Sequence, residues 1–333
     1  MPGAGGMSEK VEHGNPREDD QGKIKEGEEE DEVEGVPCHH LITHLPKSRS
    51  CDTCKRAKLY EQPHRRAENQ SKNMKEARMV EAPTFFLEKL SVDHIIVRDE
   101  IGHKGETCTF VMVDVFSGFT SMVPCEHKTA EEVEMAFRRF CGKKRPGIVQ
   151  VVSDRAPEIK SALRNLGFAS EPAAPYQKIK NALAESTIRT ITGMTSSILI
   201  HSGIELQYWP LAQKYLEWAY NITAPARGIE TDSEENLSRY EKAMGYSIDC
   251  FMVPFGALVW YKDPDPYSYG PKGEPALFLG AELTDGMLFK GCYRVWPLEQ
   301  FQSGVFKEHV SRTIAIPNGQ WKFAALTPQS VPA

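Results

Sequence analysis

Between Leu90 and Leu166 the sequence changes its apolar period in a set order, and that order restricts the fold more than any other feature. Leu90-Ser-Val-Asp-His-Ile-Ile-Val97 is a short β-branched strand pattern. Thr107 to Val113 alternates well enough for a second strand, a turn follows at Phe116-Ser-Gly-Phe119, and Thr120 to Pro124 makes a third. Thr129-Ala-Glu-Glu132 reads as a capping box, with Val133, Ala136, Phe137 and Phe140 as the apolar face and Gly142 as the stop. Ile148-Val-Gln-Val-Val152 is a buried-type strand that runs into Ser153-Asp154, and Pro157 starts a helix that stops at Gly167. Long helical stretches over about 177–200 and 205–221 complete the order, which is that of an α/β layer fold rather than a sandwich.

The rest of the chain divides by composition. Residues 1–35 hold 12 Asp/Glu against 4 Lys/Arg and are expected to be a disordered acidic tail. Residues 36–60 form a His/Cys segment, and 61–82 read as a basic linker. Residues 83–250 hold the α/β pattern, and 254–325 read as a small β-rich module. The formal charge of -6 therefore conceals a mildly basic body, in which Lys47 to Val80 carries 10 basic and 4 acidic residues. Such a cluster suits phosphate contacts, and a solvated linker would carry the same charge. No apolar run approaches the roughly 20 residues a membrane span needs, and no secretory leader pattern opens the chain, so no membrane partner is expected.

Three acids stand where an acid is informative. Asp93 lies inside a strand, where a charge is costly unless paired or bound to a cation. Asp154 ends an apolar strand, where site residues are commonly presented. Glu185 lies on a helix one turn before Arg189, and an exposed ion pair with it is the bland alternative. Asp114 and Glu158 are rivals; the first reads as a turn residue, and the second falls within the following helix.

The segment from about Pro83 to Pro254 resembles the integrase core of copia-type LTR retrotransposons. Ser153-Asp-Arg-Ala-Pro-Glu-Ile159 is similar to the family's Ser-Asp-Asn-Gly-x-Glu-Phe, and Pro175-Tyr176 with Asn181-Ala-Leu-Ala-Glu185 to its Pro-Tyr…Asn-Gly-x-x-Glu. Phe110 to Gly118 and Glu205-Leu-Gln-Tyr-Trp-Pro210 match further segments in order. The resemblance implies an RNase H-like fold, a mixed five-stranded sheet flanked by helices, with Asp93, Asp154 and Glu185 as catalytic residues holding Mg²⁺ or Mn²⁺. Arg155-Ala156 and Ala182 depart from the family's Asn-Gly and Gly, and 30 residues separate Asp154 from Glu185, a few fewer than the family's habit.

His40 and His44 stand four apart, and Cys51-Asp-Thr-Cys54 forms a two-residue-spaced knuckle. Two nitrogens and two sulfurs make a closed, structural zinc set, in which His39 or Cys38 could substitute. The order resembles the N-terminal zinc domain of integrases, but the six-residue gap between the pairs favours a minimal knuckle. Phe278-Leu-Gly280, Tyr293-Arg-Val-Trp296 and Val305 to Val310 resemble the segment that follows the core, expected as a small β-barrel module.

The implied activity is metal-dependent trimming of DNA ends and their transfer into target DNA. Lys55, Arg56, Lys58, Lys178, Lys180 and Arg189 are candidates for phosphate contacts. The implied partners are DNA and further copies of the chain, and the implied compartment is the nucleus. Two rivals are a degenerate or domesticated copy that binds DNA or chromatin without chemistry, and an RNase H-like nuclease without a joining step. No Tyr-x-Asp-Asp or retroviral-type protease motif is present, so the chain is expected to be a piece of a longer polyprotein.

Overall fold

The leading strands form an antiparallel ladder. In β1 (Lys89–Ile96), β2 (Cys108–Asp114) and β3 (Thr120–Cys125), Asp93 lies opposite Val111, and Val111 opposite Met122. Helix α3 (Ala130–Cys141) then carries the chain across to β4 (Gln150–Ser153), which runs parallel to β1. Helix α4 (Pro157–Leu166) leads to β5 (Ser170–Pro172), parallel to β4, and the sheet order is β3-β2-β1-β4-β5. This is the mixed, helix-flanked, RNase H-like sheet that the sequence order and the resemblance imply. The structure, a computed structural model, describes residues 39–48, 50–57, 83–142, 150–154, 156–172, 182–226, 237–262, 269, 271–317 and 321–326. The tail, the basic linker, Cys38, Lys58, Lys178 and Lys180 lie outside them.

Helices cover both faces of this sheet. Phe110 of β2 meets Phe137 of α3 with ring centroids 5.6 Å apart on one side. On the sheet, α5 (Ala182–Ser202) packs across β1 and β2, while α6 (Trp209–Thr223) packs on β3. All seven residues of β2 are consequently buried, including the polar positions of its alternating pattern. A strand covered on both sides reads as a continuous apolar run. Residues 206–208 form a 3-10 turn rather than the start of the α-helix, which begins at Trp209 with Pro210 in its first turn.

The cap of α3 departs from the expected reciprocal box. Thr129 does accept from the Glu132 N–H at 3.3 Å. The Glu132 carboxylate turns outward instead, accepting from the N–H groups of Glu126 at 2.9 Å and His127 at 3.1 Å. A complete box occurs at Ser238 and Glu241, heading α7 (Arg239–Met244).

The C-terminal strands β6 (Leu258–Lys262), β7 (Gly273–Thr284), β8 (Leu288–Pro297), β9 (His309–Ser311) and β10 (Ile314–Ala315) form a second sheet, ordered β10-β6-β7-β8-β9. Its two edge strands are joined by only Arg312 and Thr313. A flat five-strand sheet would hold its edges about 19 Å apart at about 4.8 Å per strand. The step from Ser311 to Ile314 spans at most about 11 Å. The sheet must therefore curl towards closure, as a small barrel does. Tyr215 and Trp218 of α6 stack on Phe278 of β7 at 6.4 and 6.0 Å, so one apolar core joins both sheets. Among the described residues, no helix is long and apolar enough to cross a membrane.

Candidate functional site

The parallel register of β1 and β4 sets the two aspartates side by side. The last paired residues are Ser91 and Val152. Two positions beyond them on each strand stand Asp93 and Asp154, on the same face by the period of two and about 4.8 Å apart in strand spacing. Asp93 is half-buried and Asp154 exposed at the strand end, where its carboxylate accepts from the Ala156 N–H at 3.1 Å. Glu185 lies exposed in the first turn of α5, the end of the helix dipole that favours an anion. Arg189 is exposed one turn on, and no ion pair joins it to Glu185.

The acids sense one another electrostatically. Burial pushes the Asp93 carboxyl above the ordinary carboxylate range. The charges of Asp154 and Glu185 push the same way, while the His94 N–H and the Lys128 ammonium oppose them. Crowded carboxylates of this kind are relieved by a hard divalent cation, which takes oxygen ligands and keeps several waters. The donor set thus fits magnesium or manganese in its chemistry. Among the described residues, these acids do not bring three ligand atoms within 4.8 Å of one another, which only the His/Cys group does.

The two rival acids have other partners. Asp114 is buried and accepts from the N–H groups of Leu87 at 2.9 Å and Ser117 at 2.7 Å, and from the Ser117 hydroxyl at 2.6 Å. It holds a turn, as its place in the sequence suggested. Glu158 heads α4 and pairs with Lys128 at 3.0 Å, with the His94 Nδ1 3.9 Å from the same oxygen. Burial first, and then the Lys128 charge, hold the His94 imidazole down to about 4, so it is neutral at pH 7. Sequence reading missed Lys128 and His94 as neighbours of the acids. The signal available was His94 beside Asp93.

The zinc set converges fully. His40, His44, Cys51 and Cys54 are all buried, with ligand atoms within 4.8 Å of one another. Cys51 Sγ lies 3.5 Å from His44 Nδ1, and Cys54 Sγ lies 3.3 Å from His40 Nε2 and 3.8 Å from His44 Nδ1. Bond lengths of about 2.05 Å to nitrogen and about 2.3 Å to sulfur give a tetrahedral N–S edge of about 3.6 Å, so the group fits zinc closely. His44 is not on one helical face with His40. It ends α1 (His40–Thr43) in the left-handed region at φ 53°, which turns its Nδ1 inward. Cys51 precedes α2 (Asp52–Ala57), and the Cys54 N–H points to Cys51 Sγ at 3.4 Å.

This knuckle sits on the C-terminal half of α5, where the His44 ring meets His201 at 5.1 Å. Glu185 and His201 are sixteen residues apart on one helix, or about 24 Å. Of the basic candidates, Lys55 is exposed and pairs with Asp52 at 2.8 Å, and Arg56 is exposed on α2. A largely apolar cavity of about 800 Å³ lies beside the knuckle, lined by Ile42, Leu45, Ala224, Met252 and Trp321. None of the three acids borders it, and an apolar lining is unsuited to carboxylate chemistry.

No family model matches the sequence, and no curated protein matches it. Among solved structures the chain is similar to the catalytic core domain of BIV integrase, at 15% identity and a TM-score of 0.35, over 48% of this chain and 95% of that one. It is similar to the HTLV-2 integrase catalytic core domain, solved with magnesium in a dimeric form, at 16% identity and a TM-score of 0.35, over 48% and 97% of the two chains. A third similarity is to a chain of the simian T-cell lymphotropic virus intasome in complex with PP2A regulatory subunit B56 gamma, at 13% identity and a TM-score of 0.37, over 82% and 93%.

Proposed function

We propose that this chain is a retrotransposon integrase of the copia type, which trims DNA ends and joins them to target DNA with divalent metal. The observation that carries the reading is the parallel β1–β4 register, which brings Asp93 and Asp154 out side by side just past its last pair, with the charge of Glu185 felt at the Asp93 carboxyl. Asp93 and Asp154 would hold magnesium or manganese, with Glu185 completing the set. When bound, such ions activate the attacking oxygen and stabilise the leaving one in an in-line phosphoryl displacement. The chain's own part is to oppose the rise that burial imposes on Asp93, through the His94 N–H that donates to its carboxylate, and to hold β1 rigid through its ladder with β2. The zinc knuckle serves as a strut that fixes the segment preceding the core, and Lys55 and Arg56 are its phosphate-facing cations. DNA ends come in pairs, so the working form is a homo-oligomer, acting in the nucleus.

A second reading, a derivative that binds DNA without joining it, is favoured by one observation. Ala156 and Ala182 stand where the resembled family has glycine. One assay separates the two. The full chain is given duplex ends copied from the element's termini, a plasmid target, and Mg²⁺ or Mn²⁺. We expect covalent joining that Asp154→Asn reduces at least about a thousandfold, as loss of a metal-holding carboxylate should. DNA binding without joining, unchanged by Asp154→Asn, would establish the second reading. Cut but unjoined products would mark a nuclease instead.

A further inference from the structure

One cation stands at the rim of the acidic site, in a turn that is held firmly. Lys128 lies between β3 and α3, next to the cap residue Thr129. The Glu132 carboxylate accepts from the N–H groups of the two preceding residues, Glu126 and His127, which fixes that turn. The ammonium reaches Glu158 at 3.0 Å, in the first turn of α4, four residues after Asp154. Glu158 is sunk, with 12% of its side chain exposed, while Lys128 keeps 40%. An ammonium carries three donors, and one carboxylate oxygen occupies one of them. As a mere surface strap between α3 and α4, such a pair would contribute little to stability. Its position suits another task. The Glu158 oxygen that Lys128 reaches also lies 3.9 Å from Nδ1 of His94, the residue next to Asp93, so the ammonium stands beside the acids. A polyanion brought towards three carboxylates needs a positive charge at the approach, and a lysine acts there as a point-charge phosphate binder.

We propose that Lys128 binds the DNA phosphate presented to Asp93 and Asp154, and that Glu158 positions its ammonium for that contact. The proposal rests on the integrase reading above.

The test uses the full chain, a short duplex DNA oligonucleotide, and the variants Lys128→Ala, Lys128→Arg and Glu158→Gln. Two readouts are taken: joining kinetics, and the salt dependence of binding. Lys128→Ala should lower the kcat of joining by about 10–100-fold. It should also reduce the slope of log affinity against log salt by about 0.9, one phosphate contact. Lys128→Arg should recover most of both. Glu158→Gln should give a smaller kcat loss, and adding it to Lys128→Ala should cost nothing further. Wild-type joining that Lys128→Ala leaves intact would overturn the proposal while sparing the integrase reading. Loss in Lys128→Ala with a lowered melting temperature and no recovery in Lys128→Arg would make the residue a structural strap, and overturn it equally. If the wild type joins nothing, the integrase reading falls. The binding slope then decides alone: a drop in Lys128→Ala upholds the phosphate contact, and an unchanged slope removes it.

Discussion

Asp93 is the residue at which sequence, packing and chemistry meet. A strand-borne carboxylate within Val92-Asp-His-Ile-Ile96 already signalled a charge with a purpose. What the sequence could not show is how strongly its surroundings work against ionisation. Burial comes first and the charges of Asp154 and Glu185 add to it, while the His94 N–H and the Lys128 charge oppose. Removing one negative neighbour should therefore make Asp93 more acidic. In metal-free Asp154→Asn or Glu185→Gln protein, the NMR titration of the Asp93 carboxyl carbon should move to lower pH than in the wild type. An unmoved midpoint in both variants would mean that the acids do not share a field. The same raised value sets the pH dependence of metal binding. Protons compete with Mg²⁺ for Asp93, so affinity should weaken as pH falls through the raised Asp93 value, starting above the ordinary aspartate range. Calorimetric titration with Mg²⁺ across that range checks the sign.

At the scale of elements, what was legible depended on whether a signal was local. Strand and helix periods are local, and so are the proline that opens α4, the Gly167 that closes it, and the ligand spacing of the zinc knuckle. The chain order of β1 to β4 follows from such signals, whereas the three-residue β5 has no strand pattern of its own and is implied only by the resemblance. Pairings between distant side chains are not local, which is why Lys128 with Glu158, thirty residues apart, left no trace in the pattern. The same holds inside α6, whose Glu217 looks like a surface acid in sequence but is buried against Arg139 of α3. Burial alone would raise its pKa. The Arg139 charge and hydrogen bonds, with those from Ser121 and the Met122 N–H, bring the carboxyl below its ordinary value instead. This stabilisation is present above the unfolded carboxylate pKa and is lost as pH falls through the lowered folded one. Arg139→Met should leave a buried, unpaired acid and cost about 3–5 kcal/mol in denaturant unfolding. The double variant with Glu217→Leu should recover much of it. The knuckle is a second such element, since its four buried ligands hold two very short helices against α5. Cys54→Ser should abolish tight zinc binding, measured by metal analysis after dialysis. It should also lower the melting temperature, because Ile42 and the His44–His201 contact lose their support.

The whole molecule depends on how the first sheet and its helices are joined to the curled C-terminal sheet. Aromatic packing of α6 on β7 contributes to the shared core, and a close backbone approach joins the layers elsewhere. At the end of α3, Gly142 adopts φ +52°, and a Cβ there would stand 2.8 Å from the Gly286 nitrogen and 2.9 Å from its Cα. Gly286 is at the tip of the β7–β8 hairpin, and its N–H donates to the Arg139 carbonyl at 2.7 Å. A helix end thus satisfies one of its last carbonyls with the backbone of the other layer, and only glycine permits the contact. Gly167, at the end of α4, has a similar positive φ of +72° but open space around it. The two glycines separate backbone strain from interlayer packing. Gly167→Ala should cost only the left-handed penalty, about 1–2 kcal/mol. Gly142→Ala should cost that plus displacement of the hairpin, about 2–4 kcal/mol in total. It should also raise amide exchange at Gly286, which Gly167→Ala should leave alone. Equal losses in the two variants, with Gly286 still protected in both, would show that the hairpin contact does not tie the layers together, and that α6 on β7 alone does so.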